Sequence, residues 1–362
     1  MPRVLFSGYY GFGNAGDEAV LAASVHLLRQ RRPDLEIAAL SADPWTTRRD
    51  HPHVVGIPRM RLPALLAELR RADLLLSGGG SLLQDRTSLQ SLLYYLAILI
   101  LACRLRRPAM IFAQGIGPLR RPAAQRLTAA VLQGTQAITV RDAESAALLR
   151  EIGVRRPPLE VTADPVFALA PERTARVQAL LGGDARPRIG IALRPWPGDE
   201  GAAEAVATAL RQAAPGAEVL LWPLHPALDL PVAEQLAASR KLSGRGARVV
   251  RKALRPGEWL ALAERMDTVI AARLHALIFA AAGGVPAVAL SYDPKVDALR
   301  RQLCLPDGGR LDAPDPERLA AALRAALDFS PRDRQAFQVR VAALAHAAAR
   351  NADVACGLLD SA

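Results

Sequence analysis

The chain has 362 residues, 51% of them hydrophobic and 22% charged, which is enough apolar material for two buried cores and excludes a disordered or fibrous protein. Forty-six Lys and Arg against 35 Asp and Glu leave a net charge of +11, yet only Lys241, Lys252 and Lys295 are lysines and no block of five or six like charges forms a tail. The excess therefore reads as attraction to anionic ligands or an anionic membrane surface, with no nucleic acid as partner. Cys103, Cys304 and Cys356 are odd in number and outside any CxxC or Cys/His spacing, so neither a disulfide framework nor a metal site follows, and a reducing, cytoplasmic compartment is expected.

Met1-Pro2-Arg3 leads straight into Val4-Leu5-Phe6 and then glycines, so no signal peptide is expected. Short apolar runs then alternate with longer amphipathic ones, the pattern of parallel strands joined by crossover helices. Strands are expected near 3–8, 36–41, 73–77, 109–113, 136–140 and 159–162, with helices near 17–31, 62–71, 88–106, 122–133 and 142–151. The longest apolar stretch, Leu92 to Cys103, has 12 residues and is followed by Arg104, Arg106 and Arg107. It falls short of the roughly 18–20 needed to span a bilayer and reads as a buried helix, or alternatively one that leans on a membrane.

Pro171 to Pro187, with Gly182, Gly183 and Asp184, breaks the rhythm and reads as a linker. Strands near 188–193, 217–222, 247–250, 267–271 and 286–290 then alternate with helices near 200–213, 229–239, 256–264, 275–283 and 295–303. Helical segments near 315–328 and 331–350 close the chain. The implied fold class is α/β, with two doubly wound Rossmann-like domains facing a cleft: residues 1–170 and 188–330, followed by a helical segment, 331–362.

In open α/β sheets ligands lie beyond the carboxyl ends of the strands, so those loops carry the functional information. After the first strand comes Gly8-Tyr9-Tyr10-Gly11-Phe12-Gly13-Asn14-Ala15-Gly16-Asp17-Glu18, without GxGxxG spacing or a Walker lysine. Asn14 or Asp17 suits a helix cap there, and the aromatics either fold inward or meet a sugar ring or lipid headgroup. Ser77-Gly78-Gly79-Gly80-Ser81 lets a ligand or another backbone approach closely. Gln114-Gly115-Ile116-Gly117-Pro118 is open to either a tight turn or a ligand contact. Arg141 ends a buried strand, where it pairs with an acid or awaits an anion; Asp164 is a turn residue or its partner. In the second half Arg194, His225 with Asp229 nearby, Arg273 and His275, and Lys295 occupy equivalent loops. Arg141, Arg194, Arg273, His275 and Lys295 together describe a cationic pocket with a titratable imidazole, suited to a small substrate bearing phosphate and carboxylate. Neither a Ser/His/Asp order nor HExxH is present.

These motifs, with Val140-Arg141-Asp142, Ala272-Arg273-Leu274-His275-Ala276 and Tyr292-Asp293-Pro294-Lys295-Val296, resemble the polysaccharide pyruvyl transferase family, in its CsaB type, over roughly residues 3–300. The resemblance implies an architecture similar to GT-B glycosyltransferases. It also implies transfer of pyruvate from phosphoenolpyruvate, as a cyclic ketal with phosphate released, to a sugar such as the β-N-acetylmannosamine of a lipid-linked cell-wall polymer precursor. Pyruvylated polymers of this kind anchor S-layer proteins. Arg141, Arg273, His275 and Lys295 match the catalytic set, and phosphoenolpyruvate is expected against these with Arg194 and Leu274. The acceptor side would comprise Tyr10, Phe12, Asn14, Asp17, Gly79, Gly80 and Ser81. No cofactor and no metal are expected, since phosphoenolpyruvate is a co-substrate, and a lipid-linked acceptor would place the protein at the inner membrane face. The rival expectations are a nucleotide-sugar glycosyltransferase of GT-B architecture and a non-catalytic polyanion- or glycan-binding protein.

Overall fold

Two parallel sheets organise the chain in the computed structural model, which describes residues 1–86, 88–181, 187–199, 201–242 and 247–361. Residues 182–186 of the expected linker lie outside the described residues.

The first sheet uses β1 (Arg3–Tyr10), β2 (Glu36–Ser41), β3 (Val54–Pro58), β4 (Leu74–Gly78), β5 (Ala109–Gln114), β6 (Ala137–Val140) and β7 (Leu159–Val161). Their order is β3-β2-β1-β4-β5-β6-β7. This is the 3-2-1-4-5-6 Rossmann order with one more strand, and its switch point lies between β1 and β4. The helices between strands are α1 (Ala15–Arg31), α2 (Pro44–Asp50), α3 (Leu62–Arg71), α4 (Leu89–Arg104), α5 (Pro122–Leu132) and α6 (Ala143–Glu151). Helices cover both sheet faces, which is why β1, β4, β5 and β6 are near-continuous apolar runs and not alternating ones. One core layer packs α3 through α6 on Leu5, Leu75, Ile111 and Ile138; the other sets α1 against Val4, Phe6, Leu76 and Met110.

Arg3 opens β1 while buried, because its guanidinium reaches Glu68 at 2.7 Å and Glu36 at 2.6 Å. The ion pairs tie the amino ends of β1 and β2 to α3.

The second sheet uses β8 (Arg188–Ala192), β9 (Glu218–Leu221), β10 (Arg248–Val249), β11 (Thr268–Ala271), β12 (Ala287–Ser291) and β13 (Asp307–Arg310), after a short α7 (Ala175–Gln178). Its order, β10-β9-β8-β11-β12-β13, repeats the Rossmann order, with the switch point between β8 and β11. Helices α8 (Ala202–Ala213), α9 (Pro226–Ala237), α10 (Pro256–Ala263), α11 (Leu274–Ala282), α12 (Pro294–Leu303) and α13 (Pro316–Leu327) accompany it, and α14 (Pro331–Asp360) ends the chain.

By internal contacts the first unit comprises Met1–Gly13, Asp17–Ala168 and Leu344–Ala362, and the second Asn14–Gly16 and Leu169–Ala343. The first half of α14 thus belongs to the second unit and the remainder to the first. Within the first unit Asn351, fully buried, accepts from the Thr162 hydroxyl at 2.8 Å and donates to the Ala163 carbonyl at 3.0 Å. Ala352 and Ala355 join the core layer beneath α1.

Several elements depart from the sequence expectations. The edge strand β3 reads Val-Val-Gly-Ile-Pro, too broken by Gly and Pro to carry strand propensity. The preceding α2 is fixed by the Asp43 carboxylate, which accepts from the amides of Trp45 and Thr46 at 3.1 Å. The third, β13, reads Asp-Gly-Gly-Arg; a Cβ at Gly308 would lie 2.8 Å from Val288, so the strand exists because a side chain is missing there. Helix α14 also runs ten residues past the expected end at 350.

Candidate functional site

In the first unit the candidate residues gather where β1, β4, β5 and β6 end. The loop after β1 is locked by Glu18, which accepts from the Gly11 amide at 2.8 Å and pairs with His51 at 3.0 Å. Gly11 has φ +76, and a Cβ there would strike the Ser41 hydroxyl at 2.1 Å, so only glycine serves.

Tyr10 folds inward, fully buried, with its hydroxyl donating to the Gly78 carbonyl at 2.9 Å. Burial pushes its pKa well up. It is a core residue that props the Gly79 turn and presents no ring face to a sugar, which corrects its expected acceptor role. Phe12 is 38% exposed and stacks on Tyr9 with ring centroids 4.1 Å apart. The Arg59 guanidinium lies 4.9 Å above Phe12 and 4.3 Å from the Tyr94 ring. Arg59 follows β3, and with that strand unrecognised nothing in the sequence marked it.

Gly79 and Gly80 both take positive φ at the end of β4. A Cβ on Gly80 would lie 2.5 Å from the buried Asp17 carboxylate, so this turn seats itself on the first turn of α1. The Gly115 amide donates to the Gly80 carbonyl at 3.0 Å, and Gln114 donates to the Ser77 carbonyl at 2.7 Å. These bonds make the 114–118 segment a brace for the glycine turn. Arg141, at the end of β6, donates to Ser81 Oγ at 3.0 Å and to Asp164 at 3.2 Å. Asp164 also accepts from the Val166 amide at 3.2 Å, so it is both turn residue and partner. The buried guanidinium lies against Gly115, where a Cβ would come within 2.6 Å of it.

In the second unit β8, β11 and β12 are neighbours, which brings Arg194, Arg273, Leu274, His275 and Lys295 to one edge of the sheet. The Arg273 amide bonds the last carbonyl of β8 at 3.3 Å. Its guanidinium grips the Asp229 carboxylate through both Nε, at 3.0 Å, and Nη2. Asp229 is 1% exposed and also accepts from the His225 amide at 2.9 Å. Arg273 is therefore already charge-compensated by Asp229. Asp229 joins the candidate residues, and an acid one turn into the helix after a strand end is the sequence signal that marks it.

Leu274 is buried in the first turn of α11, next to His275. The Asn14–Gly16 segment belongs to this unit: Ala15 donates to the Leu224 carbonyl at 2.8 Å, and a Cβ on Gly16 would lie 2.2 Å from His275 Nδ1. Asn14 accepts from the Gly16 amide at 3.2 Å, which makes it the cap of α1. Arg194 donates to the Tyr292 hydroxyl at 2.8 Å and stacks on Trp196 and Tyr292, at 5.1 and 4.7 Å. Lys295, whose amide is held by Asp293 at 3.2 Å, has no carboxylate partner for its ammonium among the described residues. Among those residues no cluster of His, Cys, Asp and Glu is arranged to hold a metal ion.

Burial, and next the Arg273 charge, lower the pKa of His225, with Asp229 opposing and Arg194 adding to the shift. The folded protein therefore resists protonating His225, whereas the unfolded chain takes the proton near pH 6.5. Stability from this group is complete above that pH and is lost as pH falls from about 6.5 toward the lower folded value, with a slope of at most about 1.4 kcal/mol per pH unit. His225→Gln should flatten the decline in urea midpoint between about pH 7 and 5; an unchanged slope would assign the decline to other groups.

The polysaccharide pyruvyl transferase profile matches residues 14–294. No curated protein matches the chain. Among solved structures, Anabaena HepE in complex with UDP is similar at TM-score 0.65 and 14% identity, over 100% of both chains. The UDP-GlcNAc 2-epimerase of Neisseria meningitidis, bound to UDP-GlcNAc, is similar at TM-score 0.62 and 11% identity, over 99% of this chain and 100% of that one. The UDP-GlcNAc 2-epimerase of Methanocaldococcus jannaschii gives TM-score 0.62 and 13% identity, over 91% and 93%. At such identities the likeness is one of fold: two Rossmann-like units of the GT-B class.

Proposed function

The chain belongs to the polysaccharide pyruvyl transferase family, and on that premise we propose that it moves pyruvate from phosphoenolpyruvate to a saccharide acceptor as a cyclic ketal. The observation that carries the reading is the grouping of His275 with the uncompensated Lys295 on adjacent strand ends of the second sheet. Lys295 and Arg194 supply charge-assisted donors for the phosphate and carboxylate. Arg273, held by Asp229, fixes the entry to α11 and thereby the imidazole beside it.

In this reading the enol methylene takes a proton and becomes the methyl group, leaving a cationic C2. One sugar hydroxyl adds to C2 and loses its proton; a second displaces phosphate, closing the ketal. His275 serves the proton transfer or the departing phosphate. Phe12, Asn14, Asp17 and the Gly79-Gly80-Ser81 turn form the acceptor side in this proposal. The acceptor proposed is a CsaB-type, lipid-linked β-N-acetylmannosaminyl unit, reached from the cytoplasmic membrane face.

The test is phosphate release from phosphoenolpyruvate with a synthetic β-N-acetylmannosaminyl-N-acetylglucosamine diphospho-lipid, with mass analysis of the product. Acceptor-dependent phosphate and a pyruvyl mass gain are expected. Binding of UDP with no binding of phosphoenolpyruvate would replace this reading with nucleotide-sugar transfer.

A further inference from the structure

Residues 86–141 contain eight arginines and not one Asp or Glu, an asymmetry that the site chemistry accounts for only at Arg141. The segment includes α4 and α5, which pack beside each other on the same face of the first sheet. Helix α4 carries no charge until Arg104. Its inner face buries Leu92, Tyr95, Leu96, Ile98, Leu99 and Ala102. Its outer face is apolar as well: Leu89, Leu93, Ala97 and Ile100 lie in one exposed stripe, with Leu93 at 44% and Ile100 at 38%. On α5, Leu127 is 37% exposed beside Arg126. Arg104, Arg106, Arg107 and Arg126 form no ion pair among the described residues. A surface helix ordinarily turns polar residues to water; this one offers leucine and isoleucine, with arginines at its carboxyl end.

We propose that the α4–α5 face docks on an anionic phospholipid bilayer, the apolar stripe entering the headgroup boundary and Arg104, Arg106, Arg107 and Arg126 meeting lipid phosphates. No helix among the described residues is long and apolar enough to cross a membrane, so the contact is peripheral. Charge selects this occupant over a second copy of the chain, since two such faces would oppose arginine to arginine with no carboxylate between them. The proposal deepens and rests on the membrane-face part of the reading above.

The experiment is co-sedimentation of the full chain with vesicles of phosphatidylglycerol and, separately, of phosphatidylcholine, with analytical ultracentrifugation of the lipid-free protein. Binding is expected on phosphatidylglycerol only, with release at about 0.5 M salt. Arg104→Gln/Arg106→Gln/Arg107→Gln should lower partitioning about a hundredfold, at roughly fivefold per arginine. Leu93→Ser/Ile100→Ser should lower it about tenfold. Thermal melts confirm that the variants fold, and turnover on a short water-soluble acceptor should stay at the wild-type level. Equal partitioning of wild type and variants, no binding to either vesicle, or a lipid-free dimer dissolved by Leu93→Ser/Ile100→Ser would overturn the proposal. Failure of turnover on the soluble acceptor by the wild type would count against the reaction alone.

Discussion

His275→Ala is expected to reduce phosphate release from phosphoenolpyruvate a hundredfold to ten-thousandfold, as loss of a general acid–base group does at about that scale, while the melting temperature stays within about 3 °C. The more informative partner experiment is Gly16→Ala, which removes no functional group. A methyl there would lie 2.2 Å from His275 Nδ1 and 3.0 Å from its Cβ, so the imidazole and its backbone attachment must both shift. A displacement near 1 Å costs about a hundredfold where positioning matters. Steady-state kinetics on both variants, with phosphoenolpyruvate affinity measured by calorimetry, separates the roles. If both lose kcat with affinity intact, His275 acts in chemistry and the first loop sets its place. Wild-type kcat in His275→Ala would remove the imidazole from the mechanism, and wild-type kcat in Gly16→Ala alone would remove only the loop's part in placing it.

Much of the fold beneath this site is legible in the sequence. The strands that end in Gly78, Val140, Ala271 and Ser291 are short apolar runs closed by polar loops, and the sheets place them as that pattern implies. What the pattern hid was pairing within the loops. Nothing local in the sequence says whether Tyr10 turns toward solvent or back over Gly8, where a Cβ would sit 2.3 Å from its ring. Nor does it say that Arg273 is spoken for by a carboxylate 44 residues away. Edge strands built from glycine, such as β13, have no propensity to read, because tertiary space alone creates them.

Asp229→Ala should be the most damaging single change to the second unit. It strips the bidentate partner from a guanidinium whose side chain is only 12% exposed, and an uncompensated buried charge costs about 3–5 kcal/mol. Asp229→Asn keeps the shape and the acceptor for the His225 amide, so it should cost less, on the order of 1–3 kcal/mol. Urea titration of the two variants gives the comparison. The functional readout differs from the structural one: with Arg273 released, phosphoenolpyruvate KM should rise by about tenfold or more in Asp229→Asn even below its melting temperature. Unaltered KM together with full loss of stability would reduce Asp229 to a packing role.

Helix α14 gives the first unit a closing piece made long after its sheet. Asn351 and its partner Thr162 are 189 residues apart in sequence, so at roughly 5–20 residues per second of synthesis the first unit waits about 10–40 s for the helix that brings Ala352, Ala355 and Cys356 to its core. During that interval the core layer beneath α1 lacks Ala352, Ala355 and Cys356, and the Ala163 carbonyl lacks its donor. A nascent chain of this design has a long window in which to bind a chaperone before its first unit closes.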